Sequence, residues 1–324
     1  MVIVSPSLAA ANNGNWQTAR RWAHLLRASH AVRITTGWPD ARAAGDHVML
    51  ALHAARSAAS SAARAAAHGS RGLGVVLTGT DLYGEFAGRP EVLRSLASAG
   101  RLVVLQDQAT AALPDELRAK ARVIYQSTTQ RQPLAKTRRQ LRAVAVGHLR
   151  DVKSPQTLFE VARRLASRPD IALRHVGDAD GHWADEARAT QARCPGYRWL
   201  GPLPHPQARR LIQRAHLLLH TSLAEGGAHV VMEAVRSGTP VLASRIPGNV
   251  GMLGDDYAGY FAPGDADALA ALLLQCRAEQ AEDVPAGTLL ARLRAQCDAR
   301  APLFDPEAER RALLQLVHEL QDPR

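Results

Sequence analysis

Two glutamates, Glu225 and Glu233, stand eight positions apart in the segment whose residue types are best suited to chemistry. On an α-helix, eight positions span about 12 Å along the axis and return to nearly the same face. A carboxylate only accepts hydrogen bonds, so it suits paired hydroxyl groups such as those of a sugar or a ribose. The spacing therefore predicts that Glu225 orients a sugar while Glu233 binds a ribose. The alternative is that Glu233 is an ordinary helical glutamate with no ligand.

A glycine-containing loop after Glu225 could hold a phosphate. We expect a strand to end at His220 and a helix to begin near Ala228, with Gly226 and Gly227 between them. Backbone amides and the positive end of the helix dipole would then lie at the carboxyl end of a strand. The sequence therefore predicts that Gly226, Gly227 and Ala228 contact the diphosphate of a nucleotide.

The elements that must position these residues alternate between short β-type runs and helical segments, which predicts parallel sheets with crossover helices. The polar, proline-containing stretch 126–139 interrupts this alternation and is predicted to be a linker. We therefore predict an α/β protein with two doubly wound, Rossmann-like domains, residues 1–138 and 139–305, that bind ligands at the carboxyl ends of their strands. The predicted strands are 2–5, 31–35, 48–52, 74–77, 102–105 and 123–125 in the first domain, and 143–147, 172–177, 199–200, 217–220 and 240–243 in the second.

Composition argues against several classes of protein. The net charge is +10, but only three of the 40 basic residues are lysines, and the arginines are scattered among few aromatic residues. This pattern predicts no nucleic-acid partner and a basic surface that attracts small anions. No apolar run approaches the ~20 residues that cross a bilayer, so we expect no membrane partner. Three cysteines without metal-ligand spacing favour a reducing cytoplasm, and the oligomeric state stays open.

Residues 220–264 resemble the donor-binding signature of the retaining GT-B glycosyltransferases of family 4. That signature has two glutamates separated by seven residues and then a Gly-x-Pro-Val strand, which corresponds to Gly238–Val241 here. The resemblance implies a GT-B fold, in which two domains face each other across a cleft and a final helix, 306–320, packs back on the first domain. It also implies a nucleotide-sugar donor bound by the C-terminal domain.

The same family has a Gly-Arg-Leu segment with a lysine five residues after its arginine, and residues 147–155 resemble it. His148 stands at the arginine position, Lys153 stands at the lysine position, and Arg150 follows His148 by two residues. The resemblance implies that Lys153, with Arg150 or His148 in place of the arginine, binds the donor diphosphate and neutralises the departing nucleotide. Gly201 follows a strand similar to the family's base-binding strand, which implies a place in donor binding.

Two more loops follow predicted strands. In a GT-B protein the loop 5–15 faces the cleft, where Gly14 would contact the diphosphate and Asn13 the acceptor; the alternative is that these asparagines only cap a helix. Asp178 and Asp180 match a metal-binding Asp-x-Asp pattern, but family 4 has an ordinary turn at this place. We therefore predict no metal and no cofactor beyond the sugar donor.

The first half of the chain carries further motifs that resemble the selenosugar synthase family of selenoneine biosynthesis. Enzymes of that kind join selenophosphate to the anomeric carbon of UDP-N-acetylglucosamine or UDP-glucose and release UDP. The resemblance implies a UDP-sugar and selenophosphate as the two substrates here. The motifs lie in 15–22, 51–57, 77–83, 102–106, 124–127 and 147–150.

The predicted acceptor residues follow from this resemblance. Many family-4 enzymes have a histidine in a His-Gly-x-Asp stretch, whereas this chain has Thr78 in its place and retains Asp81. A hydroxyl acceptor benefits from a base, but selenophosphate is already anionic and needs cations. His53 and Arg56 follow a predicted strand end, and a guanidinium suits a phosphate-like anion. Alternatively, Arg56 is a surface residue and the protein is an O-glycosyltransferase or a sugar-nucleotide epimerase.

Overall fold

The computed structural model describes residues 1–8, 14–84, 86–280 and 287–322. The chain divides into two compact units. Unit 1 comprises Met1–Ser127, Glu225–His229 and Leu303–Arg324, whereas unit 2 comprises Thr128–Ala224 and Val230–Pro302. Each unit has one six-stranded sheet whose neighbouring strands run parallel. The predicted fold class, α/β with two Rossmann-like sheets, is confirmed.

The elements of unit 1 alternate as expected, and its sheet has the order β2-β1-β3-β4-β5-β6. Short 3-10 helices cover Ala43–Gly45, Asp107–Ala112 and Asp115–Lys120. The strands and helices are β1 Val2–Val4, α1 Gly14–Leu26, β2 Arg33–Thr35, β3 Met49–Leu52, α2 Ala58–His68, β4 Leu73–Val76, α3 Pro90–Ser98, β5 Arg101–Val104 and β6 Ala121–Val123.

The sheet of unit 2 has the order β12-β11-β10-β7-β8-β9. Its elements are β7 Leu141–Val146, α4 Pro155–Arg164, β8 Ile171–Val176, α5 Gly181–Arg193, β9 Tyr197–Trp199, α6 His205–Arg214, β10 Leu217–His220, α7 His229–Val235, β11 Val241–Ser244, α8 Pro247–Leu253, β12 Tyr260–Phe261, α9 Ala266–Ala278 and α10 Leu289–Arg300. The 3-10 helices Asp151–Lys153 and Ala301–Phe304 follow β7 and α10. The last helix, α11 Pro306–Gln321, belongs to unit 1.

The central strands β1, β3 and β4 of unit 1 are continuous apolar runs, which is typical of parallel strands covered on both faces. Every residue of β3 and β4 is buried. Alternate side chains point to opposite faces, as the period of two requires. Met49 joins one buried cluster with Leu96 of α3, whereas Leu50 joins another with Trp22 of α1 and Leu316 of α11. The helices α1 and α11 therefore cover one face of the sheet together.

Each predicted strand has a counterpart, and its ends differ by at most two residues. The strand β12 was not predicted, because a two-residue run has no periodicity to detect. Helix α2 begins only at Ala58, because after β3 the chain turns first at His53, whose φ of +68° is not helical. Within the described ranges, no helix is both long and apolar enough to cross a membrane.

The division between the units lies at residues 127 and 128, earlier than the predicted position 138. The side-chain amide of Gln126 donates to the Thr18 hydroxyl at 2.6 Å, which ties it to unit 1. The Arg131 amide donates instead to the Arg236 carbonyl of unit 2 at 2.8 Å. The linker therefore splits between the units according to its hydrogen bonds.

A buried carboxylate joins three distant parts of unit 1. Glu309 of α11 is 1 % exposed. Its oxygens accept from the Trp22 indole at 2.7 Å, from Nε of Arg21 at 3.0 Å, and from the amide and hydroxyl of Ser127 at 2.8 and 2.5 Å. A carboxylate out of contact with water needs such partners, because desolvation would otherwise outweigh its attractions.

We expect Glu309→Ala to destabilise unit 1 by about 3 kcal/mol or more, because it leaves a buried indole N–H and a charged guanidinium without their acceptor. Chemical denaturation with intrinsic fluorescence would measure the change. The matched control is Glu307→Ala on the same helix, whose carboxylate is largely exposed and bonds only to Arg310. Equal stability of the two variants would contradict the role given to Glu309.

Candidate active site

The carboxyl ends of β7, β8 and β9 come together in unit 2, and each end is close to a glycine. The Gly147 amide donates to the Val176 carbonyl at 2.8 Å, and the Gly177 amide donates to the Gly201 carbonyl at 2.9 Å. A Cβ atom on Gly177 would lie 1.8 Å from the Gly147 carbonyl oxygen, and the φ of Gly177 is +153°. Glycine is therefore required there, and its hydrogen bonds hold the three strand ends together.

An uncharged aromatic cluster lies beneath these strand ends. His175 of β8 is 6 % exposed, and its Nδ1 lies 3.0 Å from the Tyr197 hydroxyl. Its ring packs near that of Phe159 of α4. Burial lowers the pKa of His175 to about 4, so the imidazole is neutral at physiological pH. His175 thus supports the site and adds no charge to it.

Lys153 ends the 3-10 turn after β7 and runs beside the end of that strand. A Cβ atom on Gly147 would lie 3.9 Å from both Cδ and Cε of Lys153. The Thr221 hydroxyl donates to the Lys153 carbonyl at 2.8 Å, and the Leu223 amide donates to the Val152 carbonyl at 2.8 Å. Lys153 therefore lies between the loops that follow β7 and β10, and its role toward a diphosphate stays a prediction.

The two candidates for the missing arginine, His148 and Arg150, are both exposed. Nδ1 of His148 accepts from the Asp178 amide at 3.3 Å, so its ring is attached to the loop after β8. Asp178 itself accepts from the amide of the next residue, and Asp180 precedes α5. Among the residues that the structure describes, no three His, Cys, Asp or Glu are grouped to hold a metal.

Glu233 lies on α7 and is 6 % exposed. Its Oε1 lies 2.5 Å from Nε2 of His205, whose side chain is 53 % exposed at the start of α6. Arg209, one turn further along α6, has a pKa lowered by burial, an effect that the nearby Glu233 carboxylate opposes. The second carboxylate oxygen receives no hydrogen bond from the residues described. An inward carboxylate beside an accessible imidazole can bind a vicinal pair of hydroxyl groups.

The helical spacing argument for the two glutamates is wrong. Helix α7 begins at His229, one residue later than predicted, and Glu225 lies in the loop before it. The consecutive glycines Gly226 and Gly227 disfavour helix there. Glu225 and Glu233 therefore share no helix face, and by its contacts the segment Glu225–His229 belongs to unit 1.

In unit 1, the loop of Gly226 packs against the loop after β4. A Cβ atom on Gly226 would lie 2.5 Å from the Thr78 carbonyl carbon, and one on Gly79 would lie 2.8 Å from the Gly226 nitrogen. A Cβ atom on Gly227 would lie 2.9 Å from Cβ of Leu105. These glycines are needed for close backbone approach, and Ala228 next to them is buried.

Asp81 is occupied within the protein and does not face a ligand. It is 1 % exposed, and one oxygen accepts from the amides of Thr78 and Gly79 at 2.8 and 3.0 Å. Its other oxygen accepts from the Ala54 amide at 2.8 Å. Three amide bonds to one carboxylate fix the loops after β3 and β4 relative to each other, so the predicted acceptor residue is a positioning residue.

His53, another predicted acceptor residue, is 2 % exposed and has a φ of +68°. Its Nε2 lies 3.1 Å from the Thr80 hydroxyl, and its ring meets Phe86 edge-on with centroids 5.2 Å apart. A left-handed conformation in a residue other than glycine costs free energy and is common at functional sites. Here it turns the chain between β3 and α2.

Arg56 is the exposed member of the predicted acceptor pair. Its guanidinium carbon lies 5.8 Å from the centre of the Phe86 ring, and that of Arg89 lies 4.6 Å from the same ring. The ring face attracts each cation. The structure therefore brings two guanidinium groups to one aromatic side chain, next to the loop that contains Thr78 and Asp81.

The first loop of unit 1 is described only from Gly14 onward, and the predicted acceptor residue Asn13 lies outside the described residues. Gly14 begins α1, and its carbonyl accepts from the Thr18 hydroxyl at 2.9 Å. Among the described residues, no atom lies within 4 Å of a Cβ atom placed on Gly14. The diphosphate role of Gly14 stays a prediction.

His205, which lies beside Glu233, and Arg89, which lies over Phe86, were not among the predicted site residues. His205 follows the strand end at Gly201 by four residues and begins a helix, a position where ligand-binding side chains are common in α/β proteins. That signal was present in the sequence. Arg89 is distant along the chain from Arg56, and nothing in the sequence indicated their shared contact with Phe86.

Parts of this chain are similar to a known protein family and to known proteins. Residues 126–284 match the family described as glycosyl transferases group 1. A D-inositol 3-phosphate glycosyltransferase from Kribbella flavida is 32% identical over 143 residues, 39% of this chain and 34% of the relative. Glycosyltransferase 1 domain-containing protein 1 from Xenopus tropicalis is 29% identical over 118 residues, 36% of this chain and 34% of the relative. The chain spans about a third of the length of the curated relatives that it matches.

Solved structures are similar over nearly the whole chain. HepE from Anabaena, in complex with UDP-glucose, has a TM-score of 0.73 at 16% identity. The similarity covers 98% of this chain and 99% of the HepE chain. Sucrose-phosphate synthase from Thermosynechococcus elongatus has a TM-score of 0.75 at 19% identity, with 98% of each chain covered. The fold is therefore that of the GT-B glycosyltransferases, and residues 126–284 match the glycosyl transferases group 1 family.

Proposed function

We propose that this protein is a glycosyltransferase with a UDP-sugar donor, UDP-N-acetylglucosamine or UDP-glucose. The observation that carries the proposal is the set of strand ends in unit 2, where Lys153 runs beside Gly147 and Glu233 points inward on α7. These residues lie inside the segment that matches the glycosyl transferases group 1 family. HepE, similar in fold over its whole length, binds UDP-glucose.

Each site residue of unit 2 has a role in this proposal. Glu233, positioned by His205, accepts from the ribose hydroxyls, and Gly201 lies beside the base. Lys153 binds the diphosphate with Arg150 or His148. Positive charge placed before the reaction stabilises the negative charge that develops on UDP as the sugar becomes oxocarbenium-like. These cations therefore lower the barrier to loss of UDP.

In unit 1, we assign Glu225 to the sugar hydroxyls, with the Gly226 and Gly227 amides and the start of α1 at Gly14 near the diphosphate. The acceptor that we propose is selenophosphate, which gives a carbon–selenium bond at the anomeric carbon and places the enzyme in selenoneine biosynthesis. Two observations support an anionic acceptor. Arg56 and Arg89 bring two cations to Phe86, and the residue at the position of the family histidine is Thr78, which cannot act as a base near neutral pH.

A second candidate acceptor is a hydroxyl group on a phosphorylated small molecule. The relatives from Kribbella flavida and Corynebacterium are named for D-inositol 3-phosphate, which carries both groups. The same two arginines would then bind the phosphate. This candidate differs from selenophosphate in one respect that can be tested, because a hydroxyl must lose its proton during transfer.

The donor assignment predicts that Glu233→Gln weakens UDP binding. Loss of a charge-assisted hydrogen bond costs about 1.5–3 kcal/mol, which raises the dissociation constant by one to two powers of ten. Isothermal titration calorimetry with UDP measures it. Glu186→Gln is the control, since Glu186 of α5 forms an exposed pair with Arg163. An unchanged dissociation constant in Glu233→Gln would remove the ribose assignment.

The acceptor assignment predicts that Arg56→Ala raises the KM for selenophosphate by about one to two powers of ten while UDP affinity stays the same. Arg56→Lys should restore only part of this, because a point charge cannot form the paired bonds of a guanidinium. Arg94→Ala, at an exposed position of α3, is the control. Mass spectrometry of the selenium-containing product gives the rates.

Thr78→Ala separates the two acceptors. If selenophosphate is the acceptor, no proton has to be removed and no hydrogen bond from Thr78 to an acceptor hydroxyl is needed, so the variant should keep nearly all of its activity. A collapse of turnover in Thr78→Ala, with Arg56→Ala near the wild-type rate, would mean a hydroxyl acceptor that the Thr78 hydroxyl orients.

We further propose that turnover needs no metal ion, because Lys153 and its neighbouring cations would neutralise the diphosphate in place of a metal. Activity should then persist in excess EDTA, measured as UDP released per minute. Complete loss of turnover that Mg²⁺ or Mn²⁺ restores would revive a metal role for Asp178 and Asp180.

A further inference from the structure

One face of the second sheet carries arginines from three adjacent strands. In the parallel register, Val144 of β7 pairs with Arg174 of β8, and Arg174 pairs with Arg198 of β9. Paired residues of neighbouring strands point to the same face, and Arg142 shares that face because it lies two positions before Val144. A parallel strand interior is normally apolar, so three arginines in this position need an explanation.

These three arginines line a cavity of about 400 Å³ together with Arg214 at the end of α6. We call it the arginine cavity. Its other lining residues include Gln140, just before β7, and Leu211 of α6. Arg142 lies five residues before Gly147, or roughly 16 Å along an extended strand. On β7, the lining residues of the arginine cavity therefore begin near the amino end of the strand, away from Gly147.

None of the four arginines forms an ion pair with a carboxylate in the described part of the chain. The Arg174 guanidinium donates to the backbone carbonyls of Leu173 and Gly196, at 3.3 and 3.4 Å. Two other arginines of unit 2 are paired, Arg164 with Asp267 and Arg168 with Asp170. The arginine cavity thus brings four arginines without a carboxylate partner among the described residues into one concave place.

The charges in the arginine cavity oppose one another. Burial lowers the pKa of Arg174, and the positive charges of Arg198 and Arg142 lower it further. Among the described residues, no carboxylate acts on Arg174 in the opposite direction. An anion bound among the four guanidinium groups would replace this repulsion with attraction, and it would do so most strongly for the half-buried Arg174.

We propose that the arginine cavity binds a small molecule carrying two or more phosphate groups. Guanidinium groups bind phosphate oxygens through paired hydrogen bonds, and four of them match several phosphates. The volume lies within the range of small-molecule sites, ~300–1,000 Å³. RNA or single-stranded DNA would require stacking aromatic side chains, and no aromatic residue lines the arginine cavity. This site is separate from the proposed donor site and does not depend on the glycosyltransferase assignment.

The test is calorimetric titration of the full chain with tripolyphosphate at physiological ionic strength. Arg142→Glu and Arg198→Glu, both at exposed positions, should each weaken binding by about tenfold or more, because each replaces an attraction with a repulsion. Arg292→Glu makes the same charge change at an exposed position of α10 and should bind like the wild type. Lys153→Ala should also keep the affinity, since Lys153 lies at the donor strand ends. Circular dichroism shows whether each variant is folded, and Arg142→Gln replaces Arg142→Glu if it is not.

Three results would overturn the proposal. The wild type fails to bind tripolyphosphate, or binds only a polyanionic strand such as single-stranded RNA. Arg142→Glu and Arg198→Glu bind no more weakly than Arg292→Glu. Binding disappears in Lys153→Ala, which would locate it at the donor site. None of these outcomes bears on UDP binding by Glu233, so the two proposals fail independently.

Discussion

The approach of Gly177 to Gly147 is the constraint on which the site in unit 2 depends. Because a Cβ atom at Gly177 would overlap the Gly147 carbonyl, the loops after β7 and β8 can meet only if this position has no side chain. That contact in turn sets where Lys153 and His148 lie, since both follow Gly147 within six residues. The chemistry assigned to the cations thus depends on a residue that has no functional group.

In unit 1, a buried charge fixes the loops that follow the strands. Asp81 accepts three backbone amides and fixes the loops after β3 and β4, while Gly79 and Gly226 let two backbones pack closely. The exposed groups, Arg56 and Arg89, then project from a rigid base. The Asp81 carboxylate is buried, and its hydrogen-bond partners are backbone amides and not guanidinium groups. It therefore positions the loops without neutralising the positive charge of the arginines at the surface.

Much of this could be read from the sequence. The alternation of strands and helices predicted both sheets, and the Glu225–Glu233 segment lies within residues 126–284, which match a glycosyltransferase family. The sequence could not show that Asp81 is buried, because an aspartate after a strand has the same pattern whether it binds a ligand or a backbone. It also could not show that Glu225 precedes the helix, since the spacing of two glutamates does not record where a helix begins. Tertiary packing brings Arg56 and Arg89 to Phe86 and brings His205 to Glu233. The periodicity of a sequence carries no information about such packing.

The bonds of Glu309 have a consequence for the order in which the chain folds. Glu309 follows Ser127 by 182 residues and Trp22 by 287. On a ribosome, almost all of unit 2 is synthesised between the first strands of unit 1 and the helix that covers them. The apolar face beneath α1 and α11 therefore stays incompletely covered while unit 2 forms, and contacts this distant in sequence form late. Unit 1 is therefore the first unit to begin during synthesis and the last to be completed.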